Sequence, residues 1–533
     1  MRCCRILLLA AAQLALVADS QIPPAIDPGS VVNAASRMPA SLPAGALAPG
    51  ARFTLTGVRL GPEHPERGNE KDPPAMLSGV SIHVVQGKID VAVGVLFASA
   101  RRIDGIIPAS APLGPVQLVA SYNGVASEPY ALNLVDSNLA FFTPDTAPDE
   151  LRQAAAPSTS PGQMVAVWGT GLGASRPELF LGGKRLTSRA ALDEACCAGV
   201  TRFDLRIPDD APLGCYVPLQ ARDSGRPTNV IGIDIHRPNE KCSEPFEWLG
   251  QGTQKGANSG FVLLARVSMA AEGEWKLPSY EFDYAAAAFG KQNGQPLFPP
   301  LPAFGTCRVH SGRFSIRRLL SDVRAPGTWA EAQPSAPRIP IDAGPGMTLS
   351  GHGAEQVLRP GRGERGAFSS IVGGETPLAQ VPKRPLFFSP GEYRVASTGG
   401  ADVGAFVVNV DAQRPIDWTN RASLSEVSRA KGITLEWKEA RRDDAVLIAA
   451  ISSDEVTGAS SMCICLANAK DRRFAIPALV LANLPPSAAD NLEPSVLLIA
   501  ELPLRAPASI HAPGLDSGFA SFVSVSGRMV RFR

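Results

Sequence analysis

Seven cysteines are the residues of this 533-residue chain best suited to covalent chemistry: Cys196, Cys197, Cys215, Cys242, Cys307, Cys463 and Cys465. In an oxidising compartment such thiols form disulfides that hold small β domains together. We predict that Cys215 pairs with Cys196 or Cys197, and that Cys307 pairs with Cys242, Cys463 or Cys465. The odd count leaves at least one thiol without a partner in the chain, and adjacent Cys196 and Cys197 point to opposite faces if extended.

Metal and acid–base sites need spacings that this sequence does not offer. Cys463 and Cys465 would share one face of a strand, but no second cysteine pair or nearby histidine completes a zinc tetrahedron. The acidic pairs Asp443-Asp444 and Asp454-Glu455 could suit glycoside hydrolysis, yet adjacent acids do not face each other across a sugar. Solvated turn residues are the favoured interpretation. Neither GxSxG nor HExxH occurs, so no catalytic or metal-binding residue is predicted.

Two further patterns are weak signals for nucleotide or nucleic-acid binding. Gly361, Gly363 and Gly366 spell GxGxxG, but Arg359-Pro360 precedes them and no amphipathic helix follows, so we expect a loop and no cofactor. One basic cluster has a single interleaved aromatic, Phe314, and consists of Arg308, His310, Arg313, Arg317 and Arg318. With a formal net charge of +1, the chain is not expected to bind nucleic acid. An acidic polysaccharide or an exposed strand face would explain the cluster equally well.

The composition predicts the elements that must position these residues. Gly 50 and Pro 48 make up 98 of 533 residues, about 18% against the roughly 12% that is usual, so long helices are largely excluded. A hydrophobic fraction of 45% with 19% charged residues indicates a globular chain. Short runs rich in Val, Leu, Ile and Phe alternate with turn residues, which predicts an all-β fold.

The N-terminus has the features of a signal peptide. Arg2 and Arg5 precede an apolar run over 6–18, and small residues stand at Ala18 and Ser20. The run of about 13 residues is too short for a membrane span, which needs roughly 20. We predict a signal peptide at residues 1–20 with cleavage after Ser20, a secreted or cell-surface location, and no membrane span once the peptide is removed.

An internal repeat predicts a duplicated module. Residues 49–62, PGARFTLTGVRLGP, are echoed by residues 161–174, PGQMVAVWGTGLGA. APLG then recurs at 111–114 and 211–214. The offset of roughly 100 to 110 residues is the size of an immunoglobulin-like sandwich. We therefore predict sandwich domains at 27–143 and 146–236, with a polar surface loop at 62–74.

A family resemblance rests on the motifs of the first module. VVNAAS at 31–36, APG at 48–50, Gly57 and Leu60-Gly61-Pro62 resemble the secreted domain abundant in acidobacterial (Solibacter-type) proteins, which is related to IPT/TIG immunoglobulin-like sandwiches. Arg59 departs from the Asn common in that family. The resemblance covers 27–143 and, more weakly, 146–236. It implies export and a surface or adhesive role, and it transfers no catalytic residue.

The second half predicts further β structure. We expect a loop-rich β domain at 242–414 and a C-terminal β-sandwich at 415–533, with one short helix at 424–430 capped by Ser423 and Glu426. GTC at 305–307, IDAGPGMTLSG at 341–351 and GGADVGAF at 399–406 resemble the C-terminal part of uncharacterised secreted acidobacterial proteins, which implies no activity.

Taken together, the sequence predicts an exported non-enzymatic surface, matrix or adhesion protein with no cofactor, whose partner is an extracellular protein or a polysaccharide. One alternative is a carbohydrate-binding accessory protein that stacks sugars on exposed tryptophans chosen from Trp248, Trp275, Trp329, Trp418 and Trp437. The other is a secreted hydrolase with its site in 242–414, where the loops are longest.

Overall fold

The structure is a computed structural model. It describes residues 22–186, 191–194, 197–246, 248, 254–271, 278–294, 301–312, 339–360, 366–376, 382–487, 494–505 and 507–533. The predicted leader at 1–20 therefore lies outside the described residues. The all-β fold class predicted from composition is confirmed. The secondary structure of the described residues consists mainly of β-strands, and the one described α-helix, α1, spans only Ala478–Leu481.

Twelve strands build a first sandwich: β1 Ala25–Ile26, β2 Val32–Asn33, β3 Arg52–Val58, β4 Glu66–Arg67, β5 Met76–Leu77, β6 Val80–Gln86, β7 Ile89–Ala92, β8 Gly94–Ala98, β9 Arg102–Ile106, β10 Gly114–Tyr122, β11 Val125–Ala126 and β12 Tyr130–Leu134. One sheet has the order β1-β3-β9-β8-β4, and the other has the order β11-β10-β6-β5. Alternate side chains of β3 and β6, such as Phe53, Leu55, Ile82 and Val84, are fully buried in one core.

Ten strands build a second sandwich: β13 Ala140–Phe141, β14 Ser158–Thr159, β15 Met164–Thr170, β16 Glu178–Leu181, β17 Lys184–Arg185, β18 Ala191–Glu194, β19 Thr201–Arg206, β20 Gly214–Asp223, β21 Arg226–Pro227 and β22 Ile231–Ile235. The sheets have the orders β13-β15-β19-β18 and β14-β22-β20-β16-β17. Strand β13 starts before residue 143, so the sequence-based end of the first domain is a few residues late.

The two sandwiches share the order of their central strands and one equivalent side-chain hydrogen bond. The three strands β3-β9-β8 match β15-β19-β18, and β10-β6-β7 matches β20-β16-β17. Gly50 and Gly162, the glycines of the repeated Pro-Gly, both have a φ of 78°, which favours glycine. The hydroxyls of Ser127 and Thr228 accept from the N–H groups of Ala120 and Ala221, respectively. Both units are immunoglobulin-like β-sandwiches built from one repeated pattern.

Arg59 is held in a backbone conformation that Asn would adopt more easily. Its φ is 57°, in the left-handed region that Asn tolerates better than Arg. The guanidinium donates from Nε to the carbonyl of Pro23 at 3.0 Å. The polar loop at 62–74 is mostly exposed, as predicted, and Glu70 within it reaches the second sandwich.

The remaining strands form a third unit: β23 Asn258–Ala270, β24 Tyr280–Lys291, β25 Thr306–Gly312, β26 Ile339–Pro340, β27 Met347–Gly351, β28 Ala354–Leu358, β29 Ala367–Glu375, β30 Gly391–Ser397, β31 Phe406–Ala412, β32 Asp417–Trp418, β33 Glu426–Val427, β34 Ile433–Lys438, β35 Ala445–Asp454, β36 Ala459–Asn468, β37 Arg473–Ile476, β38 Ser495–Leu502, β39 Ala508–Ser509 and β40 Ser517–Phe532.

One long sheet runs through this whole unit. Its order is β25-β36-β35-β38-β40-β23-β24-β26, with β29 on the far edge of β24. A four-stranded sheet, β28-β27-β30-β31, covers one end of it, and a three-stranded sheet, β32-β34-β37, covers the other. One face of strand β40 contributes side chains to both cores. Ala520 and Phe522 lie in the core under the four-stranded sheet, and Val530 and Phe532 lie in the core under the three-stranded sheet.

Two sequence-based expectations fail in this unit. The boundary at 414/415 does not separate two sheets, since β23 pairs in parallel with β40 from Ser259↔Ser517 to Ala270↔Arg528. The helix expected at 424–430 is absent there, and β33 instead pairs with β40 through Glu426↔Arg531 and Val427↔Phe532. The side chain of Val427 is fully buried, so tertiary packing overrides the capping signal.

Candidate functional site

Cys215 pairs differently from the prediction. Cys215 bonds to Cys242 rather than to Cys196 or Cys197, with the two Cα atoms 4.9 Å apart. Cys215 lies in an irregularity between β20 and β22, close to the chain that leaves the second sandwich. Cys197 is disulfide-bonded and packs between the two sandwiches, whereas Cys196 lies outside the described residues.

Cys307 bonds to Cys465, one of the three partners left open, and Cys463 is a free buried thiol. The Sγ atoms of Cys463 and Cys465 are 3.4 Å apart. Burial raises the pKa of the Cys463 thiol well above its usual range. Because two of the three clustered sulfurs are already joined, the cluster does not supply three thiolates to a metal ion.

The two described members of the basic cluster, Arg308 and His310, are half-buried. Arg308 lies over the ring of Tyr216, 4.3 Å from its centroid, at the contact between β25 and β20. Burial lowers the pKa of His310 to about 3, so this ring is neutral at physiological pH. Arg313, Arg317, Arg318 and the first two glycines of the GxGxxG run lie outside the described residues.

The tryptophans offered as sugar platforms are mostly not available for stacking. Trp418 and Trp437 belong to a core, with exposures of 5% and 1%. Trp248 is half-buried and packs edge-on against Phe519, with ring centroids 5.0 Å apart. Trp275 and Trp329 lie outside the described residues. Aromatic stacking therefore has no support from the described tryptophans.

An ion pair within 242–414 is saturated by its own surroundings. Asp283 is fully buried and accepts from Arg266 Nε at 2.8 Å and from the N–H groups of Phe387 and Phe388 at 2.6 and 2.7 Å. Arg266 also donates to the Phe388 carbonyl. A carboxylate with these partners and no exposed surface holds the covering sheet in place, and substrate cannot reach it.

A pocket of about 610 Å³ lies instead at one end of the three-stranded sheet. Two loops form its walls: residues 439–444 join β34 to β35, and residues 469–472 join β36 to β37. Trp437 forms the base, and its Nε1 donates to the Ala469 carbonyl at 3.0 Å. A backbone bond from Ala469 N–H to the Asp444 carbonyl, at 3.0 Å, ties the two loops together.

Five cations and one carboxylate line this pocket, namely Lys438, Arg441, Arg442, Lys470, Arg472 and Glu439. Arg441 is already committed, since its Nε donates to Asp444 at 2.9 Å. Within the described part of the chain, the side chains of the other four cations make neither an ion pair nor a hydrogen bond, and all are exposed. The cationic pocket, as we call it, thus presents positive charge that the protein itself does not neutralise.

Two buried carboxyl groups, those of Asp444 and Glu501, form hydrogen bonds that hold the loop at 439–444. Asp444 and Glu501 are hydrogen-bonded to each other, with side chains only 9% and 7% exposed. Burial, and then the neighbouring Asp444, raise the pKa of Glu501 to about 7. Arg441 N–H donates to Glu501 Oε1 at 2.7 Å. Carboxyls in direct contact leave no room for a sugar between them, so this pair positions the loop rather than hydrolysing a glycoside.

Backbone strain is concentrated in the same two loops. Glu439 has a φ of 62° and Arg472 a φ of 56°, both in the left-handed region that disfavours residues with a Cβ. Such conformations persist where surrounding contacts over-determine them, and they cluster at binding sites. Trp437 N–H donates to the Arg472 carbonyl at 3.0 Å, which fixes one of the two. These contacts fix the backbone of the two loops, while the side chains of the four cations extend into solvent.

Sequence reasoning found only part of this site. Asp443 is exposed, as expected of a turn residue, but its neighbour Asp444 is buried against Arg441. Asp454 caps its own turn, accepting from Val456 N–H at 3.0 Å. The missed signal was the density of charge in KEARRDD at 438–444 and NAKDRR at 468–473, two segments about 30 residues apart that the fold brings together.

Comparison with known proteins adds little beyond these observations. No protein family and no curated protein matches the chain. Matching solved structures include titin Ig tandem domains A164-A165 (10% identity, 36% of this chain and 90% of that chain, TM-score 0.14) and titin domains A168-A170 (8%, 70% and 92%, 0.15). Murine CEACAM1b matches with 11% identity over 40% of this chain and 99% of that chain (TM-score 0.12). TM-scores this low do not establish a shared fold. The immunoglobulin-like architecture is therefore assigned from the sheets described above.

The described helices contain no segment that is both long enough and apolar enough to cross a membrane.

Proposed function

We propose that this protein is an exported, non-enzymatic surface or matrix protein that binds an extracellular partner. In this proposal the tandem sandwiches are a stiff spacer and the third unit carries the binding site. Export is supported by the signal-peptide pattern and is compatible with the disulfides at Cys215 and Cys307.

The observation that carries the spacer role is a buried clamp between the two sandwiches. Arg52 donates from Nε to the Ala198 carbonyl and from Nη2 to Glu70, both at 2.7 Å. Its own N–H donates to Thr170 Oγ1 at 2.8 Å. An apolar cluster around Phe142 and Cys197 lies beside the clamp. Polar and apolar contacts of this kind restrict rotation between modules, which suits a structural spacer.

Culture fractionation and N-terminal sequencing test the export step. We expect the protein in the medium or on the cell surface, beginning at residue 21 because Ala18 and Ser20 suit a signal peptidase. A protein that keeps Met1 and stays in the cytosol would overturn the proposal. A functional test follows: labelled protein added to cells should be retained on their surface, and a catalytic turnover of any extracellular polymer would contradict the non-enzymatic role.

One observation favours the carbohydrate-binding alternative over the hydrolase. The cationic pocket contains four cations whose side chains have no ion-pair or hydrogen-bond partner among the described residues. No stacking tryptophan is needed for a ligand that is held by charge.

A further inference from the structure

The uncommitted charges of the cationic pocket define the chemistry of a ligand. Lys438 and Arg442 lie on one wall, and Lys470 and Arg472 lie on the other. Four exposed cations against the single carboxylate of Glu439 attract a ligand that carries several negative charges. Asp443 and Asp471 lie on the same loops and reduce the positive potential there, but neither of them lines the pocket.

The size and shape of the pocket favour a chain over a small ion. Its volume of about 610 Å³ is much larger than one small anion and falls within the range of about 300 to 1,000 Å³ that is typical of small-molecule sites. Lys438 and Arg442 come from one segment of the chain and Lys470 and Arg472 from another, so the positive charge is spread over both walls of the pocket. A polymer with an acidic group on successive units can contact both walls at once.

Other polyanions are disfavoured by what surrounds the cations. Nucleic-acid grooves stack bases on exposed aromatics. Among the described residues that line this pocket, the single aromatic is Trp437, which is 1% exposed and already donates its Nε1 hydrogen. Insertion into a membrane needs exposed apolar side chains, and none of the exposed large hydrophobics found among the described residues lines the pocket.

From these observations we infer that the cationic pocket binds an acidic polysaccharide through the carboxylate or sulfate groups of successive sugar units. The inference rests on the proposed export, since such polymers are extracellular. Lys438, Arg442, Lys470 and Arg472 contact the anionic groups, and Arg441 is a positioning residue that holds the loop through Asp444 and Glu501.

The test is equilibrium binding of the purified full-length protein to polygalacturonate, with dextran sulfate as a second probe and neutral dextran as the uncharged comparison. We expect binding to the first or to the second, none to neutral dextran, and weakening as salt is raised, because the contacts are exposed ion pairs. The relative affinities for the two acidic polymers show whether the pocket prefers carboxylate or sulfate groups.

A matched pair of triple variants assigns the binding to this pocket. Lys438→Gln, Arg442→Gln and Lys470→Gln together should weaken binding by about tenfold or more, since each exposed charge pair contributes a modest share. The control, Lys71→Gln, Lys88→Gln and Lys241→Gln, removes the same charge from exposed sites elsewhere and should leave binding unchanged. Unchanged melting temperatures in both variants show that folding is not the cause.

The outcomes separate this inference from the proposed function. Equal weakening by both triple variants, or tighter binding to single-stranded DNA or polyglutamate than to either acidic polysaccharide, would overturn the pocket assignment even if the protein is exported. Binding that follows the expected pattern in a protein found in the cytosol would support the chemistry of the pocket and overturn the proposed export.

Discussion

The two N-terminal sandwiches and the third unit use β-strands in opposite ways. In each sandwich, a continuous stretch of about one hundred residues supplies both sheets and one core. In the third unit, β23 finds its parallel partner β40 more than 250 residues later, and the resulting sheet carries two cores side by side. The first arrangement can be duplicated as a block, whereas the second is complete only when the last strand is in place.

A polar seam separates the two cores of the third unit. Ser524, Ser526 and Arg528 lie on the same face of β40 as the core residues on either side of them, and all are buried. Arg421 donates to Ser526 and to Ser268 across this seam. The seam shows that one sheet can support two separate apolar clusters, with hydrogen bonds where the covering sheets meet.

Truncation after residue 414 should disturb the third unit more than any point substitution. A chain that ends after residue 414 lacks β40, so β23 loses one of its two neighbours along its whole length. We expect residues 242–414 to lose protection from hydrogen exchange while 22–236 stays protected, because the sandwiches need no later strand. Residues 22–236 alone are the control. Native-like protection of 242–414 in the truncated chain would refute the single-sheet interpretation.

Next in size is the difference between the two disulfides. Cys307–Cys465 spans 158 residues and Cys215–Cys242 spans 27. The chain-entropy argument gives about 5 kcal/mol for the longer loop and about 3.5 kcal/mol for the shorter one. Replacing Cys307 and Cys465 by alanine should therefore destabilise the third unit more than replacing Cys215 and Cys242 by alanine destabilises the second sandwich, which contains Cys215. Urea unfolding of each unit measures both losses.

Tryptophan fluorescence follows the transition of the third unit, because Trp418 and Trp437 lie in the core that Cys307 and Cys465 enter. An equal or smaller loss for the longer loop would show that its unfolded chain is already compact.

Glu501 makes the stability of the third unit depend on pH. Because its pKa is raised to about 7 in the folded chain, the folded state keeps a proton that the unfolded state has already released above pH 4.5. Stability should fall as pH rises from about 4.5 to 7, by at most about 3 kcal/mol. Glu501→Gln resembles the protonated form, so it should abolish this part of the pH dependence.

Chemical denaturation at pH 4.5 and pH 8 measures the effect, and Glu392→Gln, at an exposed position, is the control. A wild-type and a Glu501→Gln protein with the same pH dependence would place the titration elsewhere.

The smallest effect concerns the clamp between the sandwiches. Arg52→Met keeps an apolar stem and removes the charge; Glu70, with 28% of its side chain exposed, can then be rehydrated. We expect a loss of about 1 to 2 kcal/mol and two separate thermal transitions in residues 22–236 instead of one. Arg101→Met, at an exposed site of the same sandwich, should change neither. A single unshifted transition in the Arg52 variant would show that the clamp does not couple the modules.

Features that depend on neighbours along the chain could be predicted from the sequence alone. The strand at Arg52–Val58 follows from alternation, the repeated sandwich follows from Pro-Gly and Leu-Gly turns, and the all-β class follows from the frequency of glycine and proline. Only the tertiary structure decided the partner of Cys215, the pairing of β23 with β40, and the joining of two charged loops into one pocket. These features depend on contacts between residues far apart in sequence. Local propensity carries no information about such contacts, and for that reason it predicted a helix where Val427 is buried in a strand.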